Sequence, residues 1–356
     1  MTRGDGPRYL PRMQAVTLRA HGGPEVLTVE ELAEPTPRAG EVRVRVEAVA
    51  LNHVDLWVRR GLPHLKLTYP FLLGADVTGV VDALGEGVEG WQPGDAVVVH
   101  PVMSCGRCRE CASGRDNYCA RFGLLGEDRS GGYAEQIVVP ARNLVARPPG
   151  LDAVTAGAAP VTFLTAWQML SRKAPVEPGM TVLVIAAGSG VGSAAVQIAK
   201  LRGARVIATA GSADKLERAR ALGADEVIDH ATADVVAEVK RMTGKRGVDV
   251  VFEHVGGEML GKAILSATRG GRVVTCGATA GWDARVDLRH VFFRQVEILG
   301  STLGSKGDLF PILDHISTHR LKPVVDQVLP LSEAQEAHRL LESRRSFGKI
   351  VLIPGK

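Results

Sequence analysis

Four of the five cysteines crowd into one stretch, Cys105-x2-Cys108-x2-Cys111-x7-Cys119. Thiolates at that spacing can close a tetrahedral shell around Zn2+. Four protein ligands leave the ion no open position, so one structural Zn2+ per chain would brace the fold and do no chemistry. Arg107, Arg109, Arg115 and Arg121 lie in or beside the loop and can offset the charge of four thiolates. Disulfides are the alternative use of these cysteines, but the tight spacing and the lack of a secretory signal point to metal.

A second stretch carries different chemistry. The uncharged run Val182-Leu183-Val184-Ile185 passes through Ala186-Ala187 into Gly188-Ser189-Gly190-Val191-Gly192, and residues 193–200 are small and aliphatic at helical spacing. Strand, glycine turn and helix together bind the pyrophosphate of a dinucleotide, because glycine lets backbone approach closely and the helix start offers free N–H groups. The pattern is imperfect. Read as G-x-G-x-x-G from Gly188 its last place is Ser193, and from Gly190 it is Ala195, which the pattern tolerates. Residues 181–199 carry no charge and are long enough for a membrane span, but Gly-Ser-Gly at a change of period suits a soluble fold.

The next strand ends Thr209-Ala210-Gly211-Ser212, with no carboxylate before Asp214 and with Lys215 close by. A carboxylate there would hold a ribose 2′-hydroxyl. Its absence beside a small hydroxyl and a lysine predicts contact of Gly211, Ser212 and Lys215 with a 2′-phosphate, hence NADP(H) in preference to NAD(H). The competing reading makes Ser212 a helix cap and Lys215 a surface charge.

These residues need elements to position them. Strands are expected at 203–210, 226–229, 248–252, 272–276 and 296–300. Helices are expected at 212–222, capped by Ser212, and at 232–242, capped by Thr232. Such alternation is α/β and predicts a doubly wound parallel sheet with right-handed crossovers. Ahead of it, residues 13–145 read as all-β. Glu41-Val42-Arg43-Val44-Arg45-Val46-Glu47-Ala48-Val49 alternates charged with apolar, 79–85 and 91–99 repeat strand and turn, and a partly open barrel follows. Beyond 303 the alternation stops. A short helix begins at 309–313, residues 324–329 form a strand, Ser332-Glu333-Ala334-Gln335 reads as a capping box, and 348–353 is a closing strand. Residues 1–12 read as a loosely held polar arm. With 43 basic against 39 acidic residues and 4% aromatics, nothing favours nucleic acid, and no targeting or membrane segment is evident, so the expected place is cytoplasmic.

From Met13 onward the chain resembles the medium-chain dehydrogenase/reductase superfamily. Besides the cysteine lobe and the glycine turn, the likeness rests on Gly74-Ala75-Asp76-Val77-Thr78-Gly79-Val80-Val81, Gly94-Asp95-Ala96-Val97 and Gly348-Lys349-Ile350-Val351-Leu352. It implies a GroES-like β-barrel catalytic domain with the zinc lobe at 13–160, a Rossmann coenzyme domain at 161–303 and a return to the catalytic domain at 304–356. Zinc alcohol dehydrogenases of this family hold a second, catalytic zinc through an early barrel Cys, a His after the Gly at Gly74 and a ligand before the first long helix. Those places here read Asn52, Ala75 and about Val161, none of them a good zinc ligand.

The pattern looks instead like the quinone oxidoreductase branch, which has the Asn and Asp of Asn52-His53-Val54-Asp55 and the alanine-rich turn but usually lacks the cysteine lobe. The chain is also similar to bacterial proteins called zinc-binding or NAD(P)-dependent alcohol dehydrogenases. The resemblance implies hydride transfer from NAD(P)H to a quinone, enone or other small carbonyl substrate. Alcohol or aldehyde dehydrogenation is the alternative, and nucleotide binding without turnover a lesser one. It makes Asn52 the residue that positions nicotinamide or substrate and Asp55 the one that holds that network or relays a proton, with His53 a weaker candidate; a barrel turn held by Asx hydrogen bonds is the competing reading. Thr165, Gly277, Ala278 and Ser301 would lie against the nicotinamide, Lys349 near the 2′-phosphate and His230 near the adenine; the competing readings make Thr165 a helix-start hydroxyl and Lys349 a surface charge. His100 and His254 would be structural. The 296–299 strand would pair with its twin in a homodimer or homotetramer.

Overall fold

The structure is a computed structural model that describes residues 11–63 and 65–355. The uncharged run forms the strand Thr181–Val184, buried throughout, inside a six-stranded parallel sheet. Its neighbours are Arg205–Ala210 and Val248–Glu253, and Glu226–Asp229, Ala267–Thr275 and Glu297–Gly300 complete the sheet. A strand covered on both faces has no side for charge. Val182 and Val184 pack on one face with Ala194, Ala195 and Ile198 of the helix Gly190–Leu201. Leu183 and Ile185 pack on the other with Val235, Val239 and Ile264.

The caps show how local chemistry sets the helix starts. Ser189 accepts from the Gly192 N–H at 2.9 Å, and Ser212 caps Ala213–Ala221. The helix expected from Thr232 instead begins at Val235, because the carboxylate of Asp234 takes the Ala237 N–H at 3.0 Å. The residues before it are bent by Asp229, whose side chain accepts from Ala231 and whose carbonyl accepts from Ala233. Cys276 lies just past its strand rather than at its end.

The barrel is a seven-stranded sheet running Val325–Pro330, Lys349–Ile353, Glu41–Ala50, Asp76–Leu84, Ala96–Val99 and Leu144–Ala146, with Gln136–Pro140 paired back onto Glu41–Ala50. Val42, Val44 and Val46 face its core, as the alternation of charge predicts. A ribbon of Arg12–Leu18 with Leu27–Ala33 closes against it through bridges at Ala15–Ala134 and Leu18–Phe71. The polar arm falls mostly outside the described residues, and Arg12 already belongs to a strand.

Two expectations for the tail are corrected. Leu309, Ile312, Leu313 and Ile316 of the helix Lys306–Ser317 lie in the same core as Phe163, Val184 and Ala194, so the coenzyme unit runs past 303 and the barrel resumes at Val325. The capping box is not made: a short turn, Leu331–Glu333, precedes Ala334–Glu342, and the Gln335 amide donates to the Leu27 carbonyl at 2.8 Å instead. No helix among the described residues is long and apolar enough to cross a membrane.

Candidate active site

The glycine turn is pinched from three sides. A Cβ on Gly192 would lie 2.4 Å from the Ala186 carbonyl oxygen, one on Gly190 would lie 2.9 Å from both Lys349 Cδ and Thr162 Cγ2, and one on Gly188 would lie 3.0 Å from Lys215 Cδ. Ala186 itself adopts φ 52°. The turn presents the first N–H groups of the helix Gly190–Leu201, of which only a few can be capped. Gly277 and Ala278 follow the strand Ala267–Thr275, and Ser301 follows Glu297–Gly300 with its N–H on the Thr275 carbonyl at 2.9 Å. All of these sit past the carboxyl ends of parallel strands, where open sheets bind ligands. The Ser301 hydroxyl is buried with no hydrogen-bond partner among the described residues. An open glycine cradle with an orphaned hydroxyl opposite fits a nicotinamide dinucleotide.

At the adenosine end, Gly211 and Ser212 are exposed. The Lys215 ammonium donates to the Arg344 carbonyl at 2.7 Å, and burial lowers its pKa. His230 contacts Thr209 Oγ1 through Nδ1 at 3.0 Å, and its Nε2 would stand 3.0 Å from a Cβ on Gly211. Gly211 and His230 thus lie together, and Lys215 lies beside Gly188.

Lys349 is elsewhere. Its side chain crosses beside Gly190 and its ammonium is buried, donating to Leu51 O at 2.5 Å, Asn52 Oδ1 at 2.6 Å and Asp76 Oδ2 at 2.8 Å. All three N–H bonds are used, which corrects the expectation that it meets a 2′-phosphate. Asn52 Nδ2 donates to Asp76 Oδ2 at 2.9 Å, and the Val161 N–H donates to Asp76 Oδ1 at 2.7 Å. The places where the family's catalytic zinc ligands would stand are thus drawn around an ammonium–carboxylate pair. Beside it Ala75, Val102, Leu124 and Leu303 pack with half-buried Val54, Phe122 and Val161 into an apolar wall. Thr165 lies one turn beyond Val161 on the helix Pro160–Trp167, almost wholly buried.

Asp55 does not face the cleft. It is fully buried, and its two oxygens take the Asn52 N–H at 2.7 Å and the Gly74 N–H at 2.9 Å. Burial pushes its carboxyl up to about 7 against the pull of those N–H groups. It holds the start of the helix His53–Arg60 against the Gly74 turn, so the proton-relay role is corrected to a positioning one. Burial, with His254, Lys349, Arg344 and Arg60 nearby, lowers His53 to about 4, so its ring is neutral near pH 7. His254 Nε2 donates to the Ile185 carbonyl at 2.9 Å and stands 3.3 Å from Ser189 Oγ, a structural tie.

In the lobe the Sγ atoms of Cys105, Cys108, Cys111 and Cys119 all lie within 4.8 Å of one another. The Cys105–Cys111, Cys108–Cys111 and Cys108–Cys119 separations are 3.9, 3.5 and 3.8 Å. Sulfurs bound to one Zn2+ at the usual bond length stand about 3.8 Å apart, so the thiols fit a tetrahedral ion. All five cysteines are free of disulfides. Asp116, on the same lobe, accepts from His100 Nε2 at 2.9 Å and from the Lys306 N–H at 3.0 Å, latching the lobe to the coenzyme unit. Elemental analysis should find one zinc per chain. Cys111→Ser should lose it and lower the thermal midpoint by several degrees, since a structural ion contributes folding energy directly.

Residues 38–149 match the alcohol dehydrogenase GroES-like domain model, and residues 190–318 match the zinc-binding dehydrogenase model. The chain belongs to the medium-chain dehydrogenase/reductase superfamily. It is 32% identical to an NAD-dependent alcohol dehydrogenase of Saccharolobus solfataricus over 96% of this chain and 100% of that protein. It is 28% identical to the human quinone oxidoreductase over 96% and 98%. A crystal structure of an NAD-dependent alcohol dehydrogenase superposes with TM-score 0.93 at 55% identity, covering 96% of this chain and 100% of that one. This medium-chain dehydrogenase/reductase is therefore an oxidoreductase of a family that uses a nicotinamide cofactor.

Two site residues of this dehydrogenase/reductase have no local signal in the sequence. Asp76 sits within a motif whose spacing says nothing of Lys349, 273 residues away. The backbone carbonyl of Arg344 meets the Lys215 ammonium from a loop whose neighbours suggest only a solvated surface.

Proposed function

We propose that the chain reduces quinones, enones or other uncharged carbonyl compounds with NADPH and without a catalytic metal. The observation that carries this reading is the buried Lys349–Asp76–Asn52 cluster, with Ala75 and Val161 beside it, in place of a zinc ligand set. An ammonium whose hydrogens are all engaged cannot act as a Lewis acid that lowers an alcohol pKa. Among the described residues, the four lobe cysteines form the only group of three or more His, Cys, Asp or Glu side chains able to hold an ion.

Bound NADPH supplies a hydride. The chain's own part is to seat the pyrophosphate on residues 188–192, to hold the nicotinamide half between Thr165, Ser301 and the 277–278 backbone, and to keep water off the reacting carbon with the wall of Val54, Phe122 and Val161. Asn52 is tied on both amide atoms, so it shapes the floor of the site rather than donating to substrate. Charge that grows on the substrate oxygen takes its proton from solvent at the cleft mouth.

Lys215 and the absence of a carboxylate after Ala210 support NADPH over NADH, although the name of the Saccharolobus solfataricus relative specifies NAD. Lys215→Ala should narrow the NADPH/NADH ratio of kcat/KM by roughly tenfold, the worth of one charge-assisted contact. A native enzyme that clearly prefers NADH removes the 2′-phosphate reading.

The names of the alcohol dehydrogenase relatives favour a second reading, alcohol or aldehyde oxidation. An NADPH-consumption screen over quinones, enones and aldehydes, run beside NAD(P)+ with alcohols, separates the two. Alcohol turnover accompanied by a second zinc per chain defeats the proposal, and tight NADPH binding without turnover would leave only a nucleotide-binding role. The strand Glu297–Gly300 is bonded on one side only, and exposed Ile298, Phe292 and Phe293 lie on or just before it, which supports pairing of two cytoplasmic copies through this edge.

A further inference from the structure

Glu253 ends the central strand Val248–Glu253, and its side chain is fully buried. Among the described residues it makes no ion pair; its partners are neutral donors. Oε1 accepts from the Val255 N–H at 2.6 Å and the Gly256 N–H at 2.7 Å, and Oε2 accepts from the Thr275 hydroxyl at 2.7 Å. A carboxylate without a counter-cation is costly to bury, and three short hydrogen bonds are what keep it there.

Those donors sit on the ends of two adjacent strands. Val255 and Gly256 open the loop after Val248–Glu253, and Thr275 opens the loop that carries Gly277 and Ala278. The loops are hooked together backbone to backbone: Ala280 N–H to Val255 O at 2.7 Å, and Gly257 N–H to Gly281 O at 3.1 Å. No side chain separates them. A Cβ on Gly277 would lie 2.8 Å from His254 O, and one on Gly256 would lie 2.7 Å from Gly281 O. Beside those backbone hooks, the buried carboxylate ties the loop after its own strand to Thr275, two residues before Gly277.

We propose that Glu253 is a positioning residue for the nicotinamide half of the cofactor and has no part in holding the adenosine half. The proposal rests on the reading that Gly277 and Ala278 flank the nicotinamide. It is independent of which carbonyl compound is reduced.

The test compares Glu253→Ala, Glu253→Gln and Thr275→Val in the full chain. Dissociation constants are measured for NADPH and for 2′,5′-ADP, which lacks the nicotinamide, together with the thermal midpoint. Glu253→Ala should weaken NADPH about tenfold or more while leaving 2′,5′-ADP within about twofold, a split near 1.4 kcal/mol. Glu253→Gln should recover most of the loss, because its carbonyl can take the two backbone N–H groups and its amide can face Thr275. Should Glu253→Ala fail to fold, Thr275→Val carries the same prediction with a smaller split. Equal weakening of both ligands, or a Gln variant as poor as Ala, overturns the proposal. Running NADH against 5′-ADP in parallel keeps it distinct from the cofactor reading: a native chain that ignores 2′,5′-ADP but binds 5′-ADP sinks the NADP preference and leaves the Glu253 test intact.

Discussion

Lys349→Met is expected to lower the unfolding free energy by about 3–5 kcal/mol and to abolish turnover, the usual cost of removing one partner from a buried ion pair. Methionine keeps the stem that lies beside Gly190 but removes three hydrogen bonds at once. Asp76 would stay fully buried with only the Val161 N–H and the Asn52 amide to hold its charge. Leu51 O and Asn52 Oδ1 would each lose their donor, and the last strand would lose its tie to the floor of the cleft. Urea unfolding of native and variant enzyme measures the loss. Adding Asp76→Asn should return part of it, because the orphaned charge goes with the lysine. A single variant within 1 kcal/mol of native would mean that the pair is dispensable, and the metal-free floor drawn here would lose its support.

That pair also marks the limit of what the sequence discloses. The glycine turn, the Ser212 cap and the alternating barrel strand are local: each follows from residue types within a few positions, and the structure matches them. The lobe was equally legible, since a tetrahedral site is built from near neighbours along the chain. Thr232 fails as a cap because the bend at Asp229 holds residues 231–233 out of the helix, which starts only where the Asp234 carboxylate takes the Ala237 N–H. The domain boundary was misplaced because the helix Lys306–Ser317 follows no further sheet strand, yet its apolar face completes the coenzyme core. Lys349 was misassigned for a different reason. A lysine in a closing strand carries no local sign of burial, and its acceptors come from residues 51, 52 and 76. For Asp55 the resemblance leaves open holding the network or relaying a proton, and only the tertiary fold supplies the Gly74 N–H that occupies its second oxygen and favours the first.

Gly192→Ala is the other large effect, and it should separate binding from stability. The glycine stands in the first turn of Gly190–Leu201 with no left-handed φ, so alanine there gains helix propensity of about 1 kcal/mol. Against this, the new Cβ would meet Ala186 O at 2.4 Å and Ala187 Cα at 2.9 Å. Both are backbone atoms, so no rotamer change relieves the contact, and overpacking of this kind costs roughly 1–3 kcal/mol. The net change in unfolding free energy is therefore small, at most about 2 kcal/mol. The turn, however, must open by several tenths of an ångström at the place where the pyrophosphate is seated, and such displacement costs on the order of a hundredfold in kcat/KM. Gly188→Ala is the comparison: its Cβ would meet side chains alone, Lys215 Cδ at 3.0 Å and Phe347 Cδ2 at 3.4 Å, so it should weaken NADPH less than Gly192→Ala does. Titration of NADPH into both variants, with thermal midpoints alongside, decides the point. If Gly192→Ala bound NADPH as tightly as native, the cradle would have to lie somewhere other than residues 188–192, and the strand that runs into it would have no reason to be followed by three alternate glycines.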